Sequence, residues 1–312
     1  MVAPGGGQGP AAHAERIRVS FERLFAAKLA AAAPDAKVSY GKPSPGKRRE
    51  LLGSALLLTH AMAQGLYGHA RIAMENLGVV DSLELYQARG EPPNAYAVLA
   101  HRPIAILFVG DFASMFQGTE LVGLLGHEVG HALCHLAHPE LAWARAAAQS
   151  TNAFYKDRAR GFLLASELTA DRFALLASQS LGAALKLQMR GVAGASREIE
   201  LDPKGYLTQC RSLADVALKS GAAMLGTTHP EHLLRAYATW LFWESDLYRE
   251  LTGKGPGKRA VSEVDATLLR LIDPKAAPSA PRPSAAVGCN PDRPPLPSTP
   301  SMTPSKRRRL RR

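Results

Sequence analysis

Cysteine is scarce in this chain: Cys134, Cys210 and Cys289 are widely spaced and odd in number across 312 residues. That excludes a disulfide framework as the source of stability and fits a reducing compartment, so a cytoplasmic location is expected. Long apolar runs are missing too. The most apolar window, LLGSALLLTHAMAQGLYG (51–68), is interrupted by His60, Gln64 and several glycines. It falls short of the ~18 continuous apolar residues that a membrane span needs, and no transmembrane segment is expected. The opening MVAPGGGQGPAAHAERIRVSF has no basic region followed by an apolar one, so no secretory leader is expected either. Acidic residues are sparse only towards the C-terminus. From Lys254 onwards there are 13 Lys/Arg against 4 Asp/Glu, so most of the formal charge of +11 lies there and residues 1–253 are nearly neutral.

What remains is the composition of a globular enzyme-sized domain, with 46% hydrophobic and 21% charged residues. Residues 1–14 are rich in Gly, Ala and Pro and offer almost nothing large to bury, which predicts a disordered N-terminus. Helical spacing of apolar residues begins at RIRVSFERLFAAKLAAAA and resumes after GKPSPGK. Three short extended runs follow, SLELYQA, NAYAVLA and AILFVG, and read as a small sheet. From Gly118 the chain returns to helix. The expectation is an α+β, mostly helical domain over 15–253 with a small sheet beside a histidine-rich helix. Residues 254–312 hold 11 of the 22 prolines and end in SKRRRLRR. Apart from one amphipathic stretch, VSEVDATLLRLI, they read as a disordered basic tail.

Of ten histidines, four fall in the twelve residues HEVGHALCHLAH, from His127 to His138. Residues four apart on a helix are offset by about 40° and one turn, so His127 and His131 can reach one ion. Glu128 projects about 100° from His127, near enough to act on a water held by that ion without ligating it. This is the geometry of a zinc hydrolase, with one Zn²⁺ per chain. His138 lies about 16 Å along the axis from His127 and cannot share the ion. Cys134, His135 and His138 are read as structural or supporting groups.

A zinc site needs a third protein ligand, with the fourth position left to water. FLLASELTADRFALL supplies the candidate. Glu167 and Asp171 are four apart on a helix whose many leucines mark it as largely buried, where paired carboxylates are costly without a cation or hydrogen bonds. Glu167 as ligand and Asp171 accepting a ring N–H from a ligand histidine would remove that cost. The alternative is a solvent-facing pair with Arg160 and Arg172 nearby.

H-E-V-G-H followed 36 residues later by E-L-T-A-D resembles the zinc metallopeptidase family of the HtpX heat-shock protease and the zinc-dependent CAAX prenyl protease. His135 matches a histidine common there. PPNAYAV (92–98) is similar to the family's NAFA-like strand, and THPEHLLR (228–235) to its H-P-x-x-x-x-R element. The similarity spans roughly residues 80–240. It implies a zincin-like core with Asn94, Ala95 and Tyr96 lining the substrate cleft, and His229 and Arg235 stabilising the oxyanion. HPE is equally an ordinary helix start, which leaves His229 a second reading. The chain departs from the family in lacking transmembrane helices.

The function expected is a zinc-dependent metalloendopeptidase acting on a protein or peptide substrate through a zinc-bound water, with Glu128 as general base. The alternative is an inactive, zinc-stabilised peptide-binding relative. KRRRLRR has no interleaved aromatics, so no specific nucleic-acid binding is expected and any acidic partner of the tail would be nonspecific.

Overall fold

The computed structural model describes residues 9–32, 45–99, 103–148, 153–194, 199–224 and 230–275. A 3-10 turn (Pro10–His13) leads into a single helical turn, α1 (Ala14–Ile17), then α2 (Glu22–Ala32) and α3 (Pro45–Ser54). Next come β1 (Leu56–Leu58), α4 (Gln64–Leu77), β2 (Leu83–Ala88), β3 (Asn94–Leu99) and β4 (Ile104–Val109). The rest is helical: α5 (Thr119–His131), α6 (Pro139–Ala148), α7 (Ala153–Ser178), α8 (Leu181–Ala193), α9 (Pro203–Ser220), α10 (Pro230–Trp243), α11 (Asp246–Thr252) and α12 (Val261–Ile272). This is the expected mostly helical α+β arrangement.

The sheet is mixed, in the order β1-β2-β4-β3. β2 and β4 are parallel and the outer pairings antiparallel. Alternation along the strands turns Leu85, Ile104, Ile106 and Phe108 into a core shared with α4 and α5. NAYAV therefore forms an edge strand, β3, alongside α5.

The tightest packing in the fold joins α5 to α7. A Cβ added at Gly126 would lie 2.2 Å from the Ala177 Cβ, and one at Gly130 would lie 2.8 Å from the Phe173 Cβ. Glycine costs a helix interior about 1 kcal/mol relative to alanine. Here that cost permits a backbone approach that no other residue allows, and it brings the HEVGH and ELTAD segments face to face.

Two expected boundaries move. The N-terminus is ordered before residue 14: Pro10 is buried, and the bare backbones of Gly9 and Gly78 touch, since a Cβ on Gly9 would meet the Gly78 Cα at 2.6 Å. The domain also runs past Gly253. In α12, Val264, Leu268, Leu271 and Ile272 are buried in the core with α2, α7 and α10, and Asp265 pairs with the buried Arg172. The apolar spacing of VSEVDATLLRLI marks the helix, but the Pro-rich residues beyond it set the expected boundary before it. Residues 276–312, including the basic run, lie outside the described residues. Leu268→Ala should lower the unfolding free energy by about 2–5 kcal/mol, as expected for a fully buried leucine. Urea denaturation checks this, and an unchanged midpoint would return α12 to the tail.

Candidate metal centre

Helix α5 places His127 and His131 one turn apart with their rings perpendicular and their Nε2 atoms 3.1 Å from each other. From α7, Glu167 Oε2 lies 3.3 Å from His127 Nε2 and Oε1 lies 3.3 Å from His131 Nε2. Three donors on a tetrahedral ion with bonds of about 2.0–2.1 Å are separated by roughly 3.3 Å. Each histidine thus has one Glu167 oxygen at about that separation, and one donor atom from each residue lies within 4.8 Å of the others, so this His-His-Glu group could hold a metal ion.

The groups behind the donors have defined partners. Asp171 Oδ1 is 3.1 Å from His127 Nδ1 and also accepts from Gln188 Nε2 at 2.9 Å. Arg235 grips Asp171 with both arms, Nε to Oδ2 and Nη2 to Oδ1, each at 2.8 Å, and its Nη2 lies 3.2 Å from Glu167 Oε2. Arg235 was expected to face developing charge on a substrate. It lines the cavity, and its guanidinium pairs there with both carboxylates of α7, where the 2% exposed Asp171 needs a cation. The solvent-facing alternative for Glu167 and Asp171 does not hold either. Arg172 is buried, donating to the Ile17 carbonyl and pairing with Asp265, and Arg160 is exposed.

Arg145 and Gln188 were not visible as site residues in the sequence. Arg145 Nη1 stands 3.2 Å from His131 Nδ1 and 3.9 Å from Glu167 Oε1. Neither residue type has a ligand spacing, and each arrives from a separate helix. Cys134 is buried, burial raises its thiol to about 12, and it is not among the grouped donors. His138 Nε2 lies 3.4 Å from Glu15 Oε1. His229 lies outside the described residues.

Burial works against a proton on His127, but hydrogen bonds and charge from Asp171 and Glu167 outweigh it and raise the pKa to about 9. Burial raises Glu167 as well, yet His131, Arg235 and His127 prevail and hold it well below the ordinary carboxylate range. Burial, with Arg145 second, pushes His131 well down, leaving it neutral. In the metal-free protein, then, one proton sits on His127 at neutral pH and an incoming ion must displace it. Metal affinity should climb about tenfold per pH unit from neutrality to about 9 and flatten above. Competition titrations at unit pH steps check this; a flat profile would put the displaced proton elsewhere.

The donors open into a cavity of about 370 Å³, walled by Asn94, Ala95 and Tyr96 on one side and by Phe116, Leu124 and Leu187 among others. Asn94 Nδ2 donates to Tyr96 Oη at 2.8 Å. Glu128 lines the same cavity, and its Oε2 accepts from Ala97 N at 2.8 Å, so β3 fixes the carboxylate in place. Burial pushes the Glu128 carboxyl up from its ordinary value, with the charge of Glu167 adding to the rise and His127 opposing it.

Comparison with known proteins returned no matching protein family, curated protein or solved structure. Among the described residues no helix is long and apolar enough to cross a membrane.

Proposed function

We propose that this chain is a zinc metalloendopeptidase, related to the metallopeptidase family that its motifs resemble. One juxtaposition carries the reading. The donor set of His127, His131 and Glu167 shares a cavity with a buried carboxylate, Glu128, that is not among the donors, beside the edge strand β3. Zinc held by those three residues would supply Lewis acidity and make water more acidic. Asp171 orients His127, and Arg235 holds Asp171 and balances the carboxylate charge. An extended peptide would lie along β3, with its side chains entering the cavity between Tyr96 and Leu187. As water adds to the peptide carbonyl, Glu128 takes one of its protons. The C–N bond then breaks and Glu128 returns that proton to the departing nitrogen, so the carboxylate is regenerated.

The test is cleavage of casein or a peptide library by the zinc-loaded chain. Activity should vanish with a chelator and return with zinc. A chain that loads zinc yet cleaves nothing, while still retaining peptides, would establish the binding-protein alternative.

A further inference from the structure

Helix α7 has a second polar face. While Glu167 lines the donor cavity and Asp171 backs His127, Thr169 points to the N-terminal segment, where its hydroxyl donates to Glu22 Oε2 at 2.6 Å and accepts from Val19 N at 3.2 Å. Glu22 opens α2 and is 0% exposed. Its Oε1 receives Arg18 Nη1 at 3.3 Å and lies 2.6 Å from Nε2 of His135, which is also 0% exposed. His135 Nδ1 in turn lies 3.0 Å from Nδ1 of His131. A continuous row of polar atoms thus runs from a carboxylate near the N-terminus to the back of a metal-site histidine.

The direction of the protons in that row follows from counting them. A neutral imidazole has one N–H. If His131 gives its Nε2 lone pair to an ion, its proton sits on Nδ1 and must be accepted, and His135 Nδ1 is the acceptor in place. The His135 proton then sits on Nε2, where it meets the Glu22 carboxylate. A competing arrangement exists, since Arg145 Nη1 is 3.2 Å from the same His131 Nδ1. An Arg145 N–H donating there would force the His131 proton onto Nε2 and block the ion. Without a carboxylate at Glu22, nothing in the row selects between the two arrangements.

Building on the reading that His127, His131 and Glu167 hold a metal ion, we propose that Glu22 is a positioning residue for that site. It acts through His135 to hold His131 in the tautomer whose Nε2 is free to ligate. The N-terminal segment is then part of the metal centre, although it contributes no ligand. Direct carboxylate support of a ligand histidine is a general device of metal sites. Here one histidine, His127, has its carboxylate in contact, and the other has it one imidazole removed.

The experiment uses the full chain and zinc. Wild type is titrated with zinc against a competing chelator, and the ¹⁵N-histidine spectrum of the loaded protein is recorded. The expected spectrum has His135 protonated at Nε2 and unprotonated at Nδ1, and His131 protonated at Nδ1. Glu22→Gln and His135→Leu should each weaken zinc binding about 10–100-fold per folded molecule. The double variant should be little weaker than the worse single one, because both changes cut one chain of contacts. A role in folding alone would instead lower the melting temperature of the metal-free protein, leave zinc affinity within about threefold of wild type and give additive losses; that result overturns the proposal. So does His135 protonated at Nδ1 in loaded wild type, a measurement that stands even if neither variant folds. Failure of wild type to bind zinc overturns the metal reading and this one with it. Normal wild-type binding with unaffected variants overturns only the role of Glu22.

Discussion

Glu128→Gln should keep one zinc per chain and lose about 10²–10⁴-fold in kcat, the range that a positioned general acid–base supplies. The substitution removes little besides the proton function. Gln has the same size, and its amide oxygen can still accept from Ala97 N, the contact that fixes the native carboxylate. The three donors that could hold the ion do not include residue 128. What the amide cannot do is take a proton from water and return it to a leaving nitrogen. KM should change little, since the lost interaction belongs to the transition state. Metal analysis and steady-state kinetics on the same preparation check both halves. Loss of zinc would make Glu128 a ligand, and a kcat within about threefold of wild type would end its role as the base.

Glu167→Gln should reduce zinc affinity by roughly 10³-fold, through charge as much as through the lost bond. Glu167 stands between two guanidinium groups, Arg235 at 3.2 Å and Arg145 at 3.9 Å. With the carboxylate present, their charge is compensated and the ion meets an anion. With an amide in its place, an incoming dication faces two arginines with one carboxylate fewer to offset them. Two unit charges ~4 Å apart interact by ~4 kcal/mol at an effective dielectric of ~20, close to a thousandfold in a binding constant. Competition titration at constant pH measures the change. A loss of less than tenfold would show that the carboxylate is not a ligand, and a third donor would have to be sought elsewhere in the cavity.

Residues whose roles depend on local periodicity could be read in the sequence, and those defined by contacts between distant segments could not. His127 with His131, and Glu167 with Asp171, are pairs four apart, so each pair shares a helix face before any tertiary structure exists. Asn94, Ala95 and Tyr96 stood out as a short extended run, and they line the cavity. Gln188, Arg145 and Glu22 left no such imprint, since each meets the site from a different helix and shares no helical period with its partner. Arg235 was visible, but its partner was not: only the tertiary structure shows that Asp171 engages both arms of its guanidinium. Helix α12 is legible as the amphipathic stretch VSEVDATLLRLI, but not its place in the core: the Pro-rich, basic residues that follow set the expected boundary before it, while four of its apolar side chains are buried.

The glycines between α5 and α7 have a consequence for which ions the site can accept. Gly126 and Gly130 bear no functional group, yet they let the two helices that carry His127, His131 and Glu167 approach without a Cβ between them. A single methyl at Gly126, placed 2.2 Å from the Ala177 Cβ, must push the helices apart or tilt them. The donors of α5 and α7 would then separate by a similar amount. A shift of a few tenths of an ångström is the difference between bonds of about 2.0–2.1 Å and those of about 2.3–2.6 Å that a larger, harder cation prefers. Were an ion held there, the size it could have would depend on two residues that offer it no donor atom.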